Sequence, residues 1–180
     1  MIYYYIDMDG FIAKWQTHCT EQDILKPGYF ATIPVEPQFL QLVKRLIEDN
    51  NHVYILSSLI DRKPTIEAEK RIWLKTYLPE LPPTHYLFVP EGISKARYKK
   101  ERHPQANCSI LLDDHGRNLE EWVKYPRHLA IETYGSNKKE AATGYRFPKI
   151  YFDQPVDDLI DAVYFQANQL KERMMSNNGH

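Results

Sequence analysis

Cysteine is scarce in this chain: two in 180 residues, Cys19 and Cys108, far apart and without the spacing of metal ligands. That excludes a disulfide framework and a cysteine zinc site, and it suits a reducing compartment, the cytoplasm being the simplest assignment. Glycine is scarce as well. The seven, at positions 10, 28, 92, 116, 135, 144 and 179, form neither G-x-G-x-x-G nor a P-loop, which excludes nucleotide binding through a Gly-rich turn. Net charge is nearly absent, with 23 Lys and Arg against 24 Asp and Glu. No overall basic field therefore attracts a nucleic acid backbone, and no acidic tail points to disorder. No stretch approaches the roughly 18 apolar residues of a membrane span, and no basic n-region with an apolar h-region opens the chain. Repeats and low-complexity segments are also lacking.

What is present is a 43% apolar, 26% charged sequence long enough for one well-buried core and too short for two comfortable domains. We expect a single domain over residues 1–175 and a frayed tail over 176–180. The opening run Met1–Ile6 is rich in aromatic and β-branched residues and reads as a buried strand that stops near Gly10. Residues 11–34 read as an irregular loop or very small lid, broken by KPGYF and TIPVEP. From there elements alternate: a helix over 37–50, a strand in HVYILSS, and a helix from Pro64 through PTIEAEKRIWLKTYL. A strand in THYLFVP, a short polar helix in SKARYKKER and a strand in CSILLDD follow. RNLEEWVK then predicts a helix, HLAIET a strand, and PVDDLIDAVYFQANQLKERMM the longest helix, which either covers the sheet or joins two chains as a homodimer. The alternation predicts an α/β, Rossmann-like fold: a mainly parallel sheet with helices on both faces.

In such sheets ligands sit at the carboxyl ends of the strands. The first strand ends in Asp7 and Asp9, the second in Ser57 and Ser58, the fourth in Asp113 and Asp114, and Lys95 opens the helix after the third. Side chains two apart on an extended segment point the same way, so Asp7 and Asp9 lean into one crevice and repel each other. A divalent cation would relieve that repulsion, and the hydroxyl and ammonium groups suit phosphate oxygens.

The order and strand context of these motifs carry a resemblance. DMDG after an N-terminal strand, ILSS closing the second, Lys95, and ILLDD followed by Asn118 resemble the four motifs of the haloacid dehalogenase (HAD) superfamily of phosphohydrolases, over residues 2 to about 122. The compact size, the short segment after the first motif and the run ILLDDHGRNLEEW are most similar to the 5'(3')-deoxyribonucleotidase-like branch. The resemblance implies a HAD-type three-layer fold with only a minimal cap at 11–34. It also implies a Mg²⁺-dependent phosphomonoesterase acting on a small phosphorylated substrate, with nucleoside monophosphates leading. By the same resemblance Asp7 is the nucleophile, Asp9 the general acid and base, and Ser57 and Lys95 the phosphate holders, with Ser58 beside them. Mg²⁺ would be held by Asp7, by Asp9 through its backbone carbonyl, and by Asp114, with Asp113 the second candidate.

The residue types suit that chemistry. An aspartate attacking phosphorus in line splits one hydrolysis into two displacements through an aspartyl phosphate. Asp9, disfavoured as an anion among carboxylates, hands a proton to the leaving alkoxide and takes one back from water. Each residue also has a plainer role. Ser57 can cap a turn, Lys95 competes with the usually solvated Lys99 and Lys100, and Asn118 can bond a loop carbonyl instead of substrate. Trp15 either stacks on a base or packs within the lid, and Tyr29 and Phe30 read more readily as the lid's own core. His115 reads as solvent-facing and is set aside with the other six histidines.

Rival functions fare worse. In a phosphoacceptor receiver domain the acidic pair comes early and the phosphorylated Asp stands alone at mid-chain, whereas here the pair DD comes late. Haloalkanoate dehalogenation uses the same nucleophile but needs neither Asp9 nor a metal at Asp114. Another small phosphate ester, a phosphorylated nucleic acid end without a backbone-binding stripe, or a non-catalytic HAD-like binder remain as alternatives.

Overall fold

The computed structural model describes residues 1–60, 63–136 and 146–176. Six strands form one sheet: β1 (Tyr3–Ile6), β2 (His52–Ser58), β3 (Tyr86–Val89), β4 (Ser109–Asp113), β5 (His128–Tyr134) and β6 (Lys149–Tyr151). Their order is β3-β2-β1-β4-β5-β6, and every pairing is parallel. The expected α/β Rossmann-like class is therefore what the chain adopts. The strand order reverses direction between β1 and β4, the switch point at which an open parallel sheet leaves a crevice at its carboxyl edge.

Period-two alternation divides the core. On β1, Tyr4 and Ile6 join one apolar cluster while Tyr5 joins the other, so both faces of the strand are covered. The first cluster takes in α3 (Pro37–Glu48), α4 (Pro64–Tyr77) and α7 (Val156–Ser176). The second takes in α5 (Lys95–Arg102) and α6 (Gly116–Trp122). Pro at the first turn starts α3 and α4, where its missing N–H costs nothing. From α3, Phe39, Leu40, Leu42, Val43 and Leu46 enter the core, each burial stabilising by about 1.5–3 kcal/mol.

Two expectations change. The segment 11–34 is not wholly irregular but holds two single-turn helices, α1 (Glu21–Ile24) and α2 (Tyr29–Thr32). The first is nucleated by a capping box in which Thr20 and Asp23 satisfy each other's backbone N–H groups, a signal too short to stand out in a polar stretch. β6 was not anticipated, because three residues, KIY, are too few for a period to show. The proposed tail at 176–180 lies outside the described residues except for Ser176, which ends α7.

Phe30 is fully buried in the main apolar cluster and Tyr29 packs edge-on against it at 5.1 Å, so these rings join the core of the domain and form no separate core in the segment 11–34. α4 pins this cap. Glu69 accepts from the N–H groups of Gly28 (2.7 Å) and Phe30 (3.1 Å), and Trp73 donates its indole N–H to the carbonyl of Ile33 (2.7 Å). No helix among the described residues is long and apolar enough to cross a membrane.

Candidate active site

β1 and β4 run side by side with Ile6 opposite Leu112, and the N–H of Asp7 donates to the carbonyl of Leu112 at 2.9 Å. This register sets Asp7 beside Asp113. Asp7, Asp113 and Asp114 each present a carboxylate oxygen within 4.8 Å of the others. Met8, between the two early aspartates, is fully buried in the apolar core, while Asp7 and Asp9 line a cavity of about 660 Å³. Trp15, Ser58, Lys95, Asp114 and Asn118 line the same cavity.

Gly10 shows how closely the two motifs approach. Its φ is +87°, a conformation side chains disfavour, and a Cβ there would stand 2.3 Å from Oδ2 of Asp114. The glycine of DMDG is thus what lets the β1 turn pass the β4 carboxylates.

Lys95 is 2% exposed and donates to Oδ1 of Asp7 and Oδ2 of Asp113, both at 2.6 Å. Burial pulls its pKa down, but Asp113 and Asp7 outweigh burial and hold it above the ordinary lysine range. Burial pushes Asp7 up and Lys95 opposes it. Asp113, Asp114 and Asp9 add to the rise, and the carboxyl ends well above its usual range. Asp113 is fully buried, and both its oxygens are engaged. Oδ1 accepts from the N–H of His115 (2.8 Å), Oδ2 from Lys95, and the amide of Asn118 donates to each at 3.1 Å. Asn118, expected at substrate, therefore spends its amide on Asp113. His115 is exposed, as expected, and contributes its backbone.

Ser57 was expected at phosphate, but it is fully buried and does not line the cavity. Its hydroxyl donates to Oδ2 of Asp9 at 3.2 Å and accepts from Lys70 at 2.9 Å. Ser58 is the exposed member of the pair and lines the cavity. Lys70, fully buried on α4, is the residue the sequence reading missed. It forms an ion pair with Oδ2 of Asp9, donates to the carbonyl of Ser58 at 2.8 Å and lies 4.7 Å above the ring of Phe30. A signal existed: Ile66, Lys70, Trp73 and Leu74 fall on one helical stripe and are buried together, so a lysine among apolar neighbours at that spacing needs a buried anion.

The donor set fits a hard dication. Three carboxylates converge on one point, and their mutual repulsion helps drive Asp7 upward in pKa. Oδ1 of Asp9, buried with no hydrogen-bond partner among the described residues, stands outside that cluster. Magnesium suits oxygen ligands of this kind.

No protein-family model matches the chain, and no curated protein matches it in sequence. Solved structures do match in shape. A Mesorhizobium loti protein described as a HAD-like phosphatase superposes with a TM-score of 0.59 at 12% identity, over 89% of this chain and 85% of that one. The D,D-heptose 1,7-bisphosphate phosphatase of B. bronchiseptica, in complex with magnesium and phosphate, superposes with a TM-score of 0.62 at 9% identity, over 92% of this chain and 99% of that one. This chain thus has the fold of HAD-like phosphatases. At such identities the fold is what is shared.

Proposed function

We propose that this protein is a Mg²⁺-dependent phosphomonoesterase working through an aspartyl phosphate on Asp7, with nucleoside monophosphates as the leading substrates. The observation that carries the reading is the convergence of Asp7, Asp113 and Asp114, far apart in the sequence, within 4.8 Å at the sheet's switch point. Two structures of this fold are described as phosphatases, one of them with magnesium and phosphate.

Asp7 is oriented for attack. Its Oδ1 is held by the N–H of Met8 at 2.8 Å and by Lys95 at 2.6 Å, which leaves Oδ2 as the attacking oxygen. Asp9 acts as acid and then base. Lys70 and Ser57 fix its Oδ2, so Oδ1 is the atom that carries the proton to the leaving oxygen and later accepts one from water. Asp7 and Asp114, with the backbone carbonyl of Asp9, would hold Mg²⁺, while Asp113 anchors Lys95 and Asn118 and is the second candidate ligand. When bound, the ion supplies positive charge that lets an anionic nucleophile and an anionic phosphate meet. Ser58 and Lys95 face the phosphate from the cavity wall, and Trp15, 39% exposed there, offers a face on which a base can stack.

The test is a phosphate-release screen of ribo- and deoxyribonucleoside 5'- and 3'-monophosphates, sugar phosphates and 3'-phosphorylated oligonucleotides, with Mg²⁺ and with EDTA. Turnover that needs Mg²⁺ and is highest on mononucleotides is expected. Turnover equal in EDTA, or none on any ester, contradicts the proposal.

A further inference from the structure

The catalytic cavity does not end at the aspartates. A second hollow of about 370 Å³ adjoins it, and the two share Gly92, Ile93, Ser94 and Glu121 as common walls. Charge changes sign along this groove. The cavity at the aspartates carries Asp7, Asp9 and Asp114 together with Arg117, whereas the adjoining hollow is lined by Arg97 and Lys124, with Glu121 on the wall that the two share and Glu101 paired to Arg97.

These cations have donors to spare. Arg97 pairs with Glu101 through Nε at 2.8 Å, and Arg117 pairs with Glu121 through Nε at 3.2 Å. The terminal amino groups of both guanidinium forks have no partner among the described residues, and neither does the ammonium of Lys124. Guanidinium forks match phosphate oxygens bidentately. Ile93, on the shared wall, and Ala96 and Tyr125, in the second hollow, give the groove apolar lining for the part of a substrate that bears no charge.

Resting on the phosphatase reading, we infer that this groove is a subsite for a second phosphate: the preferred substrate is an ester whose leaving group itself carries a phosphate. The ester phosphate sits at Asp7, the leaving group crosses Ile93, and the distal phosphate meets Arg97 and Lys124. Either a small bisphosphate or the phosphorylated end of a nucleic acid strand supplies this chemistry.

The test measures binding, so it does not depend on turnover. In the Asp7→Asn protein with Mg²⁺ at low salt, calorimetry compares adenosine 5'-monophosphate, adenosine 3',5'-bisphosphate and a 5'-phosphorylated dinucleotide. Two exposed contacts to one phosphate should tighten binding about tenfold over the monophosphate. Adding Arg97→Ala and Lys124→Ala should bring the ratio of affinities to about one. A gain for the bisphosphate alone supports the subsite with a small-molecule source, and a gain shared by the dinucleotide supports it with a nucleic acid end. Equal affinity for the mono- and bisphosphate, or a gain that survives the double substitution, overturns the subsite even if wild-type protein hydrolyses p-nitrophenyl phosphate. If wild-type protein hydrolyses no ester while the gain persists and the substitutions abolish it, the subsite stands and the phosphatase reading fails.

Discussion

Lys95 and Lys99 sit one turn apart on α5, point to the same side and are both buried, at 2% and 4% exposure, yet they stand in opposite chemical worlds. Lys95 lies between Asp7 and Asp113 and is held above the lysine range. Lys99 meets the carbonyl of Ala106, Nε2 of His128 at 2.9 Å and the rings of Tyr5 and Trp122. With no carboxylate beside it among the described residues, burial brings its pKa down to about 8. Burial alone therefore does not decide a lysine's charge; the anions that answer it do. By that criterion Lys70, paired with Asp9, belongs with Lys95.

The comparison predicts a graded series. Lys95→Ala should have the largest effect, because it leaves two buried carboxylates facing each other. A loss of about 3–5 kcal/mol in denaturant stability and about 10³-fold in kcat/KM is expected, and a variant as stable and active as the parent would place Lys95 with Lys99. Lys70→Ala should cost about 10- to 10²-fold, mostly in kcat, since Asp9 loses its orientation and not its chemistry. A rise confined to KM would show that Lys70 serves binding instead. Lys99→Met should leave kcat within about twofold, because this lysine lies outside the cavity. Its signature is a pH dependence. The native pKa of about 8 lies below the ordinary 10.5, so between these values the unfolded chain holds a proton that the native one has released. Lys99 thus makes wild-type stability rise with pH above 8, by at most about 1.4 kcal/mol per unit. Denaturation from pH 7.5 to 9.5 should show the wild type gaining on Lys99→Met as pH rises; parallel curves would refute the depressed pKa.

Much of this site was legible in the sequence because strand ends announce themselves. An apolar run that stops at DMDG, LSS or LDD fixes where those side chains emerge, and parallel pairing brings Asp7 to Asp113. The finer division of labour was not legible. Whether Ser57 or Ser58 faces the cavity depends on which side of β2 each side chain leaves, and both belong to one short edge of the motif. Asn118 reads equally as a ligand or a brace until α6 is placed against β4. Lys70 was overlooked because a lysine in a helix is normally solvated, although its neighbours at helical spacing are buried. α1, α2 and β6 escaped because three or four residues show no period.

The central claim is covalent: phosphate passes through Asp7. Mixing enzyme, Mg²⁺ and a substrate that it hydrolyses, quenching in acid within milliseconds and mapping peptides by mass spectrometry should find a phosphoryl group on the peptide bearing Asp7 and none in Asp7→Asn. Steady turnover with no such adduct, or with the phosphoryl group on another residue, would contradict the account.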